Sequence, residues 1–186
     1  MKAGVLALQG DFREHAKMLR EAGATPVLVR TREELDSVEC LVIPGGESTA
    51  IGRLAKRHGL IETIRDRAEA EMPIFGTCAG MIVMAKDVDG GEPLLGMMDI
   101  SVERNAYGRQ VDSFEADVDV RGLDRPVRGV FIRAPVVARI GEGVEVLAEH
   151  EGRPITVEQG RLLAASFHPE IAGDPRLHAR FLEKVE

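Results

Sequence analysis

The segment Ile74-Phe75-Gly76-Thr77-Cys78-Ala79-Gly80 runs from apolar residues into Gly-x-Cys-x-Gly. That is the pattern of a nucleophile elbow, a sharp strand-to-helix turn with a reactive side chain at its tip, carrying sulfur here instead of a hydroxyl. The two glycines let the turn close without Cβ clashes, and the helix that follows points free N–H groups and its positive dipole end at the thiolate. A cysteine behind a buried strand can equally be a small core hydrophobe, and this motif alone leaves both readings open.

A second segment tips the balance. Ala165-Ser166-Phe167-His168-Pro169-Glu170 is an apolar strand ending in His-x-Glu. Alternate side chains of an extended segment share a face, about 6.6 Å apart along the strand, so His168 and Glu170 point the same way. The carboxylate can hold the imidazole in one tautomer and steady its protonated form, with Pro169 fixing the backbone between them. Nucleophile, base and orienter are then all present as Cys78, His168 and Glu170. Away from Cys78, the same His-Glu pair would read as a structural contact at a strand end.

Leu41-Val42-Ile43-Pro44-Gly45-Gly46-Glu47-Ser48-Thr49 is a third strand that stops at glycines before a helix. Such a loop exposes backbone N–H groups at the carboxyl end of a sheet strand, where open α/β sheets bind ligands. Those donors can stabilise an oxyanion or hold a carboxylate. A phosphate loop is a poor match, because no lysine follows the glycines at the required spacing. A plain Gly-Gly turn with Ser48 or Thr49 as helix cap is compatible with either role.

These residues need a scaffold, and the pattern supplies one. Apolar runs at Val5 to Leu8, Pro26 to Val29, Cys40 to Ile43 and Ile74 onward alternate with helical periods near Asp11 to Ala22, Arg32 to Ser37, Thr49 to Lys56 and Leu60 to Glu69. The alternation predicts a parallel sheet with helices on both faces. Asp11, with Glu14 three residues on, is the expected cap of the first helix, and Gly23 its stop. After Lys86 the period changes, and short strands from Gly90 to about Glu158 predict hairpins beside the sheet, before a closing helix near Pro175 to Val185. The fold class expected is α/β, a three-layer α/β/α sandwich with a mixed, mainly parallel central sheet and an antiparallel hairpin insertion.

Composition bounds the rest. A chain of 186 residues with 44% hydrophobic content suits one domain with a full-sized core. A net charge of −7 with interspersed signs offers no basic footprint for nucleic acid. Cys40 and Cys78 show neither a disulfide framework nor paired metal spacing, so a reducing, cytoplasmic setting is expected, and Cys40 is read as packing. The chain is expected to enter its first strand directly, without a leader, and no apolar run approaches a membrane span of about 18 residues. Met81, Val83 and Met84 read as core, and His15, His58, His150 and His178 share no ligand spacing, so no metal is expected. Glu14-His15 reads as a helix-face pair.

Taken together, Pro-Gly-Gly-Glu-Ser, Gly-Thr-Cys-Ala-Gly and Phe-His-Pro-Glu resemble the triad, or class I, glutamine amidotransferases. Leu6-Ala7-Leu8-Gln9-Gly10, Arg104-Asn105-Ala106-Tyr107-Gly108-Arg109-Gln110, Ser113-Phe114-Glu115 and Phe131-Ile132-Arg133-Ala134-Pro135 narrow the likeness to the glutaminase subunits of pyridoxal 5'-phosphate synthases. Asp11 stands where that family's residues are small or varied.

The resemblance implies a single glutaminase domain over residues 1–186. Cys78, His168 and Glu170 would hydrolyse L-glutamine to L-glutamate and ammonia, with backbone donors of Gly45, Gly46 and Ala79 as the oxyanion hole. It implies Gly46, Glu47, Ser48, Arg104, Ile132 and Arg133 as substrate-binding residues, although Arg104, Arg109 and Arg133 read equally as solvated hairpin charges without it. Gln9 and Gly10 would lie at the contact with a (β/α)8-barrel synthase subunit, in a dodecamer of heterodimers. No cofactor is implied, since pyridoxal phosphate is the partner's product. Two rivals remain: a glutaminase subunit for another pathway, such as imidazole glycerol phosphate synthesis, and a non-hydrolytic redox or binding protein built on the elbow cysteine. The second would not need His168 or Glu170.

Overall fold

The computed structural model describes residues 1–108 and 113–185. Its central strands are short and fully buried, and their alternate residues face opposite layers. In β3 (Cys40–Ile43), Cys40 and Val42 join one hydrophobic cluster and Leu41 and Ile43 the other. In β4 (Ile74–Thr77) the same alternation sends Ile74 to one side and Phe75 to the other. Helices cover both faces. On the side of Leu41 and Ile43 lie α3 (Ser48–Arg57), α4 (Leu60–Glu69) and α5 (Ala79–Met84), through Ile51, Leu60, Ile64 and Met81. On the other side α1 (Phe12–Glu21) and α6 (Arg176–Leu182) bury Ala16, Leu19, Leu177 and Phe181. The expected three-layer α/β architecture is present.

The remaining elements are β1 (Lys2–Leu6), β2 (Thr25–Val29), α2 (Arg32–Asp36), β5 (Ala85–Val88), β6 (Met98–Glu103), β7 (Ser113–Val118), β8 (Val127–Ile132), β9 (Val136–Ile140), β10 (Glu145–His150), β11 (Arg153–Gln159) and β12 (Leu162–Ala165). The seven-stranded central sheet runs β10-β11-β12-β4-β3-β1-β2. It is parallel from β12 to β2 and antiparallel at the β10-β11-β12 edge. Strands β5, β6 and β9 form a small second sheet, and β7 and β8 a two-stranded ribbon.

One expectation changes. The hairpin of β10 and β11 does not lie beside the sheet but extends it. Ile155, Thr156 and Val157 are buried in sequence, which only a strand covered on both faces permits, whereas β6 and β8 alternate buried and open residues.

Register matters most where β12 meets β4. Leu162 lies opposite Ile74 and Ala165 opposite Thr77, and the Cys78 N–H donates to the Ala165 carbonyl at 2.8 Å. Two strands far apart in sequence therefore end level, one step before Cys78 and three before His168.

Candidate active site

Four neighbouring parallel strands, β12, β4, β3 and β1, deliver their carboxyl-end loops to one place, the edge where such sheets bind ligands. The loop after β4 is the elbow. Cys78 has φ 48° and ψ −106°, a left-handed conformation that costs a non-glycine residue about 1–3 kcal/mol. The bond to Ala165 and the Ile82 N–H, which donates to the Cys78 carbonyl at 3.3 Å, hold it there. The flanking glycines serve packing. A Cβ on Gly80 would overlap the Ile43 carbonyl oxygen, and one on Gly76 would come within 2.6 Å of the Met84 sulfur. The strain therefore sits on the cysteine itself, while α5 has only six residues and so a modest dipole.

The loop after β12 carries the imidazole. Its Nδ1 lies 2.6 Å from Glu170 Oε1, which leaves the other ring nitrogen for the sulfur. Cys78 and His168 line one cavity and are close enough for the sulfur to favour the charged imidazole, with Glu170 on the ring's other side. Burial opposes charge on His168, but its bonds to Asp11 and Glu170 and the nearby Cys78 sulfur prevail and push it up to about 12. Glu170 is pushed up to about 8, chiefly by burial. Both residues are at most 5% exposed. The Cys78 sulfur also lies 3.8 Å from the Ile132 carbonyl oxygen.

A cavity of about 480 Å³ opens above them. Its walls include Cys78, His168, Gly45, Gly46, Glu47, Ser48, Ala79, Arg104, Ile132 and Arg133, so the expected oxyanion and substrate residues share one space. Glu170 is not on that wall and stands behind the imidazole. A Cβ on Gly45 would run into His168 Cε1, which explains why the loop after β3 needs glycine at its closest approach. Arg133 adopts φ 45°, a second strained residue at the rim. Arg109 and Gln110 lie outside the described residues.

Three local expectations are corrected. Glu47, rather than Ser48 or Thr49, caps α3: its carboxylate accepts from the N–H groups of Thr49 at 2.9 Å and Ala50 at 2.8 Å. The capping bonds outweigh burial and hold Glu47 below the usual carboxylate range, with Arg104 helping. Asp11 occupies the N-cap of α1 but makes no capping bond with its side chain, forgoing a contact worth about 1 kcal/mol. Its Oδ2 instead lies 2.9 Å from His168 Nδ1. Asp11 is held down to about 2, because bonds to His168 and Glu170 override its burial. The position after Gln9-Gly10, at the carboxyl end of β1, was the signal that could have found it.

The third correction concerns Glu14-His15: Glu14 is exposed and His15 is buried, so the two do not pair on one helix face. His15 and His178 meet at 2.8 Å, Nδ1 to Nε2, in the core beneath the site. Burial holds His15 down to about 3 and His178 far below its ordinary value, so both are neutral. His178 Nδ1 has no partner among the described residues, and an N–H there would be an orphaned donor costing about 1–3 kcal/mol. The proton therefore sits on His178 Nε2 and is donated to His15 Nδ1. His15 Nε2–H then donates to Thr77 Oγ1 at 2.9 Å and faces Glu170 Oε2 at 3.5 Å. Asp11, His15 and Glu170 each offer a ligand atom within 4.8 Å of the others, but these side chains already engage His168, His178 and Thr77. His15 was legible as the residue one helical turn after Asp11, whereas nothing in the sequence linked it to His178.

Gln9 and Gly10 border this site without lining it. Gln9 Oε1 accepts the Glu47 N–H at 2.8 Å, and the Asp11 N–H donates to the Gly45 carbonyl at 3.3 Å, so the loop after β1 grips the loop after β3.

A family model described as the SNO glutamine amidotransferase family matches residues 5–186. The sequence is 56% identical over 186 residues to "Pyridoxal 5'-phosphate synthase subunit PdxT" of Pelotomaculum thermopropionicum, covering 99% of this chain and 95% of that one. It is 52% identical over 186 residues to the protein of that name from Niallia circulans, covering 100% and 98%. A solved structure described as a glutamine amidotransferase superposes with a TM-score of 0.94 at 53% identity, over 98% of both chains. PurLQS from Thermotoga maritima, at 18% identity and a TM-score of 0.74 over 99% of this chain and 96% of that one, shares the fold.

Proposed function

The chain belongs to the SNO glutamine amidotransferase family, and from that premise we propose that it hydrolyses L-glutamine to L-glutamate and ammonia and passes the ammonia to a pyridoxal 5'-phosphate synthase subunit. The observation that carries this reading is that Cys78 and His168 line one cavity at the carboxyl end of the sheet, with Glu170 Oε1 2.6 Å from the imidazole on its far side.

In this reading residues 1–186 act as one glutaminase domain. The Cys78 thiolate attacks the side-chain amide carbon of glutamine, and the imidazolium of His168 gives its proton to the departing ammonia, leaving a γ-glutamyl thioester. His168, now neutral, takes a proton from water as the hydroxyl attacks the thioester. Glutamate leaves and the thiolate returns. Backbone donors of Ala79 and the Gly45-Gly46 loop hold the oxyanion in both steps, and loss of one such donor costs about 10²–10³-fold in rate. Gly46, Ser48, Arg104, Ile132 and Arg133 receive the substrate. Glu47 contributes its backbone, since its carboxylate caps α3.

The partner reading extends further. A (β/α)8-barrel synthase subunit docks at Gln9 and Gly10 within a dodecamer of heterodimers, and pyridoxal phosphate is that partner's product rather than a cofactor here. The setting is the cytoplasm, where thiols stay reduced. No helix among the described residues is long and apolar enough to cross a membrane. Gln9 binds the Glu47 N–H, so docking at Gln9 acts on the loop that carries the oxyanion donors. The test is to measure ammonia release from glutamine, and labelling of Cys78 by a diazoketone analogue of glutamine, with and without the synthase subunit. Labelling at Cys78 with faster turnover in the complex is expected. Release undiminished in Cys78→Ser would overturn the reading.

A further inference from the structure

We propose that Asp11 is a positioning residue for this reaction: a second carboxylate that, with Glu170, holds His168 from its Nδ1 side and links the imidazole to the loop after β1. The proposal rests on the glutaminase reading only for its kinetic consequence, since the contact itself is geometric. Asp11 Oδ2 lies 2.9 Å and Glu170 Oε1 2.6 Å from the same nitrogen, so one N–H is shared between two acceptors. A bond to a charged group is about twice as strong as one between neutral groups. Asp11 reaches His168 by giving up the capping bond its position would otherwise make.

The two carboxyls are not equivalent. The Glu170 side chain is fully enclosed, whereas that of Asp11 is 20% exposed. Asp11 lines the substrate cavity and also a second cavity of about 420 Å³, reached past Glu14 and Lys17 of α1. Burial and bonding drive the two carboxyls apart, Glu170 upward and Asp11 downward. Paired acids with separated values divide the work between them. Glu170 fixes the ring's direction, and Asp11 carries the negative charge that keeps the imidazolium beside the thiolate. The other titratable groups facing this pair are Cys78 from the elbow, His15, Glu14 and Lys17 from α1, and Arg104 and Arg133 across the cavity. Asp11 also donates its backbone N–H to the Gly45 carbonyl, so a movement of the Gln9-Gly10 loop reaches the imidazole and the glycine loop together.

The experiment compares full-length wild type with Asp11→Asn, which keeps the shape and removes the charge, and with Asp11→Glu. Carbon-13-labelled histidine reports the protonation of His168, and glutaminase kinetics are measured in the complex with the synthase subunit. In wild type His168 is expected to stay protonated to the alkaline limit of the fold. In Asp11→Asn its midpoint should fall by one pH unit or more, the alkaline limb of kcat/KM should move down with it, and above the new midpoint kcat should fall about tenfold per pH unit with KM within twofold. Asp11→Glu should recover part of kcat. An unchanged His168 midpoint in Asp11→Asn overturns the proposal, even if kcat falls, because that pattern is lost packing. Should Asp11→Asn fail to fold, Asp11→Ser removes the same charge and is judged by the same midpoint. The midpoint decides the role of Asp11 whether or not glutamine is the substrate, while failure to label Cys78 in wild type would count against the glutaminase reading alone.

Discussion

Cys40 and Cys78 sit on neighbouring parallel strands of one sheet, yet at opposite ends of them. Cys40 opens β3 at its amino end, is fully enclosed, packs with Val42 and Phe75, and is pushed up to about 12 mainly by burial. Cys78 lies just past the carboxyl end of β4, holds a strained left-handed turn, and reaches a cavity shared with His168. The residue type is the same. What differs is the end of the strand, because loops meet at the carboxyl edge, and only there can a thiol find an imidazole from another strand.

The sharpest way to break this contrast is to remove each sulfur in turn. Cys78→Ala should lower kcat for glutamine hydrolysis by a factor on the order of 10⁶, as loss of a nucleophile does elsewhere, while Cys40→Ala should leave it within about twofold. Comparable losses in both would mean that the strand ends are not functionally distinct. A smaller effect tests the crowding around the carboxyl edge. Gly45→Ala drives a Cβ against the His168 ring and should cost about 100-fold in kcat with the fold intact, read by steady-state kinetics beside circular dichroism.

At the amino end the expected cost is one of stability alone. Cys40→Ser buries a hydroxyl in an apolar cluster and should lower the unfolding free energy in urea by about 1–3 kcal/mol without touching activity. The smallest effect is a slope. His178 is held far below its ordinary value in the fold, so the unfolded chain takes up the proton first as pH falls. Its contribution is complete above pH 6.5 and is lost as pH drops toward the folded value. Between pH 6.5 and pH 5, His178→Leu should therefore lose about 1.5 kcal/mol less stability than wild type. Parallel curves would show that His178 takes up its proton in the fold over the same pH range as in the unfolded chain.

Much of the scaffold was legible because it is local. α4 spans Leu60–Glu69 and β3 spans Cys40–Ile43, both as their periodicity indicates. Cys78, His168 and Glu170 were legible because an elbow and a His-x-Glu strand end each carry a pattern within a few residues. Where reading failed, the deciding partner was distant. Asp11 looked like a cap until His168 came within reach, Glu47 took the capping role from Ser48 and Thr49, and His15 met His178 across 163 positions. The β10-β11 hairpin joined the central sheet because both faces of β11 found cover that no window of the chain reveals.

By itself the sequence determined which strands are buried, where glycines permit sharp turns, and which side chains could form a nucleophile, a base and an orienter. Those properties depend on neighbours along the chain. Only the tertiary structure decided that β12 lies beside β4 in the register that levels Ala165 with Thr77, and that the loop after β1 turns a carboxylate onto the imidazole. Contacts between residues so far apart depend on how whole layers pack, and that information is spread over the entire core rather than written in any one motif.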